Sequence, residues 1–328
     1  MRNLILRRLL ASIPLLFLVA LAAFALLQLA PGDFWAELQL NPQIAPETRA
    51  ALRVQYGLDQ PWYVQFAHWL AQVARGNLGY SFAYNQPVTQ LIGARLFNTV
   101  TLALAALLLA LLIAVPSGVL ACDRRFRAIA RALSALATVI ISLPSLVLAL
   151  LAVLLAARTG WFPLGGASGL DAETLTPLGK LTDYLWHLLL PALVLAARQV
   201  PGYFRQVRAS VHETLTQDFI LTARAKGLPE RRILFKHALR NALNPVVSMF
   251  GNSLSSLLSG AFVVEAVLSW PGLGRLAVEA LLSRDLFVLL GCLLYAALLL
   301  ALGNLLADVL LLTLDPRIRL GIRRAEVH

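Results

Sequence analysis

"LFNTVTLALAALLLALLIAVPSGVLA", Leu96–Ala121, runs for twenty-six residues without a charged side chain. About 20 apolar residues in helical form cross the hydrocarbon core of a bilayer. The stretch therefore reads as a transmembrane helix, and the rest of the chain is read against a membrane. Five further apolar segments lie outward from it, at about Leu9–Leu29, Ala132–Ala157, Tyr184–Phe204, Pro245–Ala266 and Leu286–Leu314. Composition agrees: the 328 residues are 59% hydrophobic and 14% charged, with a mean hydropathy of +0.74. A soluble chain lies nearer to about half apolar and a quarter charged. The first segment follows Arg2, Arg7 and Arg8 in the manner of a secretory signal. Its apolar run is long for that role and five more spans follow, so it is taken as a retained helix.

The net charge of +11 suggests nucleic acid in a soluble protein, but in a membrane protein it reports which side each loop occupies. With six spans, 19 of the 28 Lys and Arg residues fall on the termini and on the loops after the second and fourth spans, and 8 fall on the other loops. Basic loops stay in the cytoplasm, which predicts both termini inside. The expected fold is an all-α membrane protein with six transmembrane helices, N-in and C-in, and an extracytoplasmic subdomain after the first helix. That subdomain spans Pro31–Arg95 and has helix-like patches at Pro46–Tyr56 and Pro61–Ala74. Its Trp35, Trp62, Tyr63, Trp69 and Tyr80 form either an interfacial aromatic belt or a docking surface for a soluble partner.

Chemistry-bearing motifs are few. No G-x-x-x-x-G-K-[ST] phosphate loop occurs, since Thr174 stands where "PLGKL" (Pro177–Leu181) would need its first glycine. "HETLT" (His212–Thr216) has Thr216 in place of the second zinc-binding histidine, and the five histidines are scattered. Cys122 and Cys292 make neither a disulfide framework nor a metal spacing. No catalytic residue, metal site or directly bound cofactor is expected.

The most informative loop is "ARAKGLPERRILFKHALRN", Ala223–Asn241, with six Lys and Arg, one His and a single acid. Gly227 is placed to end one helix in the left-handed conformation. Pro229 suits the first turn of the next, and Glu230 favours its positive end. The spacing predicts a helix, a tight glycine turn and a second helix rising into the fifth span. A lipid anchor explains the charge. A rigid elbow that passes force to a partner explains the punctuation as well.

"LTARAKGL" (Leu221–Leu228) followed by a second helix resembles the cytoplasmic loop of ATP-binding-cassette importer permeases, whose signature is E-A-A-x-x-x-G. Alignment on Gly227 puts Leu221, Thr222 and Ala223 at the E-A-A positions, so the glutamate is absent, as it is in the dipeptide, oligopeptide and nickel branch. "APGD" (Ala30–Asp33), "YGLDQP" (Tyr56–Pro61), "GNLGYSF" (Gly76–Phe82), "SLPS" (Ser142–Ser145), "HALRNAL" (His237–Leu243), "WPGLG" (Trp270–Gly274) and "LDPRIR" (Leu314–Arg319) extend the resemblance in order. It is to the first of the two permease subunits.

The resemblance implies a type I importer permease fold in a bacterial or archaeal cytoplasmic membrane. Residues 1–95 would be an N-terminal helix plus extracytoplasmic region, and residues 96–328 a five-helix permease domain with a coupling loop at about 207–244. It further implies a second permease subunit, two cytoplasmic ATPase subunits holding ATP and magnesium, and an extracytoplasmic substrate-binding protein. Ala223, Arg224, Ala225, Lys226, Gly227, Leu228, Pro229, Glu230 and Arg231 would contact the ATPase. The cargo would be a dipeptide, an oligopeptide, a nickel complex or a related small solute.

Three readings of the spans remain. Gly251, Ser255 and Ser259, beside Asn252, Ser256 and Gly260, make a small polar face on the fifth span. This face either packs closely on another helix or lines a path through Asn252, Ser255, Ser256 and Ser259. "SWPGLGRLAVEALLSRD" (Ser269–Asp285) holds a helix too short to cross, acting either as an outer gate or binding-protein contact at Trp270, Pro271 and Gly272, or as a cap. Asp308 pairs with a loop base or with Arg198, and Arg198 either marks a broken fourth span or snorkels to the interface. The competing function is a stand-alone secondary transporter or channel, which an inverted repeat would favour; none is visible.

Overall fold

The computed structural model describes residues 2–29, 47, 60–81 and 83–314. Trp35, "APGD", the patch Pro46–Tyr56 apart from Glu47, most of "YGLDQP", Phe82 and "LDPRIR" after Leu314 lie outside the described residues. The chain divides into two compact units.

One unit is Thr101–Trp270 with the described part of Leu302–His328, and the other is Arg2–Val100 with Pro271–Ala301. Helix α3 (Val88–Leu120) and the last helix, Leu286–Leu314, each contribute to both.

The second unit begins with α1 (Arg2–Leu29), on which α2 (Trp62–Val73) packs. Phe66 of α2 meets Phe17 and Phe24 of α1 edge to face, with ring centroids 5.7 and 5.5 Å apart. Trp69, expected in a belt or on a docking surface, is instead a core residue. It is fully buried, and its indole N–H donates to the Leu78 carbonyl at 3.2 Å. A buried indole needs such a partner. Trp62 and Tyr63 remain exposed.

A two-residue hairpin, β1 (Tyr80–Ser81) against β2 (Gln86–Pro87), departs from the all-α expectation. Asp285 holds it from afar: its carboxylate accepts from the Ser81 hydroxyl at 2.6 Å and from the Ala83 amide at 3.2 Å.

In the first unit, α4 (Arg127–Ser142) and α5 (Ser145–Thr159) occupy the predicted third span. The two helices meet at 108° across Leu143 and Pro144, so the segment is bent rather than straight. Proline lacks the amide that would continue the ladder and holds its predecessor out of the helical region; Leu143 is extended, with ψ 131°.

Helix α6 (Pro177–Thr214) starts on Thr176, whose hydroxyl accepts from the Gly179 amide, with Pro177 in the first turn. It runs unbroken through Arg198, Gln199 and Pro201, so the broken fourth span is corrected. Arg198 does not simply snorkel either: its Nη1 donates to the Leu143 carbonyl at 2.9 Å, at the α4–α5 bend. Helices α3 and α6 close tightly at Gly118, where a Cβ would lie 2.8 Å from the Val207 side chain.

The remaining elements are α7 (Asp218–Ala225), α8 (Glu230–Arg232), a π turn (Ile233–Ala238), α9 (Leu239–Ala242), α10 (Asn244–Val267), α11 (Leu273–Leu282) and α12 (Leu286–Leu314). Among the described residues, Val88–Leu120 and Leu286–Leu306 are long and apolar enough to cross a membrane alone. The bent α4–α5 pair and α10, bent by 41° between Phe250 and Asn252, raise the number to four if each counts once. The apolar part of α1, Leu10–Leu26, is shorter. In α6, charge bounds the apolar middle at Asp183 and Arg198, leaving Tyr184–Ala197. That is roughly 21 Å of helix against a hydrocarbon core of about 30 Å.

Candidate functional site: a latched basic elbow

Helix α7 ends in a full Schellman motif. The Leu228 amide reaches the Ala223 carbonyl at 3.3 Å and the Gly227 amide reaches the Arg224 carbonyl at 2.9 Å. Gly227 adopts φ +72°, the left-handed value this cap needs. Pro229 then stands just before α8 rather than within it, and its carbonyl accepts from the amides of Arg232 and Ile233. The expected helix, glycine turn and helix are all present.

Two features hold the elbow together. Ile220 and Ile233 are fully buried and pack with Ala223 and Ala238, while Leu215 and Leu228 cover the cluster. Arg224 Nε lies 2.7 Å from Glu230 Oε1 across the turn, and Nη2 lies 3.4 Å from Oε2. The hydrogen bond to Glu230 pushes the Arg224 pKa up from its ordinary value, so the cation persists at any working pH. The π turn, in place of the regular helix expected, widens the return path beyond Arg232.

The predicted contact residues divide in two. Ala223 is buried inside the elbow, so its role there is to hold the two helices together rather than to offer a surface. Arg224, Ala225, Lys226, Gly227, Pro229, Glu230 and Arg231 are exposed, and Leu228 is half-buried. The tip is therefore a small, stiff, net-positive projection with an apolar interior. The Arg224–Glu230 latch escaped the sequence reading, although opposite charges six residues apart across a Gly-Leu-Pro turn were there to signal it.

The fifth-span face is uncovered. Asn252, Ser256 and Ser259 are exposed and Ser255 is half-buried, whereas Ser253, Leu254, Leu257, Leu258 and Ala261 point into the unit. Ser255 donates to Asn304 Oδ1 of α12 at 2.5 Å, tying two polar positions together.

In the segment Ser269–Asp285, Trp270 and Gly272 are buried and Pro271 is half-buried. The Trp270 ring packs on Tyr184, with centroids 5.5 Å apart. The Asn98 side chain donates to the Pro271 carbonyl, and Thr99 Oγ1 accepts from the Leu273 amide at the start of α11.

Further along α11, Tyr84 donates to Glu279 Oε2 at 2.6 Å and Arg275 Nε lies 2.7 Å from Oε1. Burial and the bond to Glu279 push the Tyr84 hydroxyl up to about 12. Burial works to raise the Glu279 carboxyl as well. The hydrogen bonds from Tyr84 and Arg275, with the charges of Arg275 and Arg95, outweigh it and hold Glu279 below the usual carboxylate range. No group of three metal-ligating side chains occurs among the described residues.

Comparison with known proteins places this arrangement. The family profile described as "Binding-protein-dependent transport system inner membrane component" matches residues 110–320. A second, "Binding-prot-dependent transport system membrane comp, N-term", matches residues 1–103. The chain is 40% identical over 316 residues to the oligopeptide transport system permease protein AppB of Bacillus subtilis, covering 96% of this chain and 98% of that one. It is 41% identical over 321 residues to a putative peptide transport system permease protein of Brucella abortus, covering 97% and 99%. It is 36% identical over 320 residues to the glutathione transport system permease protein GsiC of Escherichia coli, covering 97% and 99%. On this coverage the chain belongs to the binding-protein-dependent transport system inner membrane components, the multi-pass membrane permeases, rather than catalytic subunits, of bacterial ATP-binding-cassette importers.

Proposed function

We propose that this chain forms half of the translocation path of a peptide importer and takes its drive from a separate ATPase through the elbow at Ala223–Arg231. The observation that carries the proposal is the construction of that elbow: a Schellman cap, a buried Ile220–Ile233 core and an Arg224–Glu230 latch around an exposed basic tip. A lipid anchor needs only charge. A lever needs charge on a part that does not bend. In this reading the chain crosses the membrane six times with both termini inside, pairs with a second permease subunit and receives cargo from an extracytoplasmic binding protein. It binds neither ATP nor a metal itself, and ATP with magnesium sits in the two partner ATPases. Asn252, Ser255, Ser256 and Ser259 face the path, where small hydroxyl and amide side chains suit a hydrated peptide backbone. The segment Trp270–Gly272 orients the outer gate through its packing on Tyr184.

A peptide-like cargo is supported by the relatives, which include permeases named for oligopeptides, peptides and glutathione. All three cargoes share a peptide-like backbone.

Cysteine at Lys226 or at Glu230 should crosslink to the ATPase subunit in membranes bearing the whole transporter, and the reaction should change with ATP. Labelling of both positions only by reagents confined to the outer face would reverse the proposed topology.

A further inference from the structure

Away from the elbow, α4 and α6 enclose a cleft of about 880 Å³ beside the end of α3. We propose that this cleft binds the phosphate headgroup of an anionic lipid. Arg205, Arg208 and His212 line it from α6 at i, i+3 and i+7, one stripe of that helix, and Arg131 faces them from α4. Asp123 is the only acid in the lining, and its Oδ1 accepts from the Arg125 amide of its own turn. With histidine neutral, three cations against one anion leave a charge of +2. Among the described residues neither Arg131 nor Arg205 is ion-paired, and Arg208 Nη1 donates to the Ser134 hydroxyl at 3.1 Å. The floor is small and apolar, built from Ala121, Ala130 and Ala209.

Like charges at i, i+3 cost helix stability, and a third cation across a shared cleft adds to the repulsion. A bound anion relieves it. Guanidinium groups carry the donor fork that matches phosphate oxygens. The surroundings favour a lipid over a free phosphate. The apolar helix α3 ends at Leu120, directly before the cleft, so the cations lie where hydrocarbon gives way to headgroups. Basic pockets between transmembrane helices are suited to such headgroups.

The test uses the intact transporter, purified in neutral detergent and incubated with diphosphatidylglycerol or with phosphatidylcholine, with retained lipid counted by native mass spectrometry. The wild type should keep diphosphatidylglycerol in preference to phosphatidylcholine. The double variant R205Q/R208Q should lose it by on the order of tenfold or more. R205K/R208K, which keeps the charge, should retain much of it and shows that the helix tolerates change. R125Q/R240Q, with the same charge change on exposed residues outside the cleft, should bind as the wild type does. Undiminished retention by R205Q/R208Q, or equal loss in R125Q/R240Q, would overturn the assignment. Displacement of the lipid by inorganic phosphate at equal concentration would assign the cleft to a soluble anion instead. Protection of a cysteine at Arg131 from thiol reagents only when the ATPase is bound would make the cleft a protein interface, which also overturns the lipid site.

Discussion

Gly227 is the residue on which the elbow turns. Its φ of +72° belongs to a region that costs an ordinary side chain roughly 1–2 kcal/mol. No atom lies within 4 Å of where its Cβ would stand, so the penalty is conformational and involves no collision. Gly227→Val should therefore leave insertion in the membrane and assembly with the second permease intact while abolishing uptake, because the tip is re-aimed. Gly227→Asn, which tolerates the left-handed region, should keep most uptake. Peptide uptake and membrane abundance measured together check the pair of variants; a Val variant with normal uptake would remove the residue from the mechanism.

At the scale of elements, the α4–α5 bend and the Tyr84–Glu279–Arg275 cluster on α11 each rest on few groups. Arg198 is joined to the bend through the Leu143 carbonyl. Arg198→Gln should lower the thermal stability of the purified transporter slightly, by on the order of 1 kcal/mol, the loss of a solvent-accessible hydrogen bond from a charged donor. It should also broaden distances between spin labels placed on α4 and α5, with Arg198→Lys intermediate; unchanged distances in Gln would mean that Pro144 alone sets the angle. The Tyr84–Glu279–Arg275 cluster has a pH dependence with a fixed sign. The Glu279 carboxyl is held below its unfolded pKa, so its contribution is present above the unfolded carboxylate value and lost as pH falls through the folded one. The raised Tyr84 contributes below its unfolded value near 10 and loses that contribution as pH rises towards about 12. Hydrogen exchange at residues 80–87 should speed up on acidification below the carboxylate range, and Glu279→Gln should flatten that response.

For the whole molecule, the membrane class and the elbow were legible because each rests on local pattern. Uncharged length marks a span, and Gly227 with Pro229 marks a turn between helices. The bend within the third span was not legible from hydropathy, because the apolar run continues through Leu143 and Pro144 and hydropathy does not register an angle. The roles of Trp69, Trp270 and Ala223 were hidden for a different reason. Burial of an aromatic or a methyl group depends on which distant element covers it, and no neighbouring residue announces the cover. The Leu143–Arg198 bond spans fifty-five positions and had no local signature.

In the proposed mechanism this permease moves cargo only when a separate ATPase grips its elbow. Vesicles reconstituted with the two permease subunits, the binding protein and a labelled peptide decide it, with the ATPase subunits and internal ATP present or withheld. Accumulation against the gradient is expected only with both present, and none with Gly227→Val. Uphill accumulation by the permease subunits alone would contradict it.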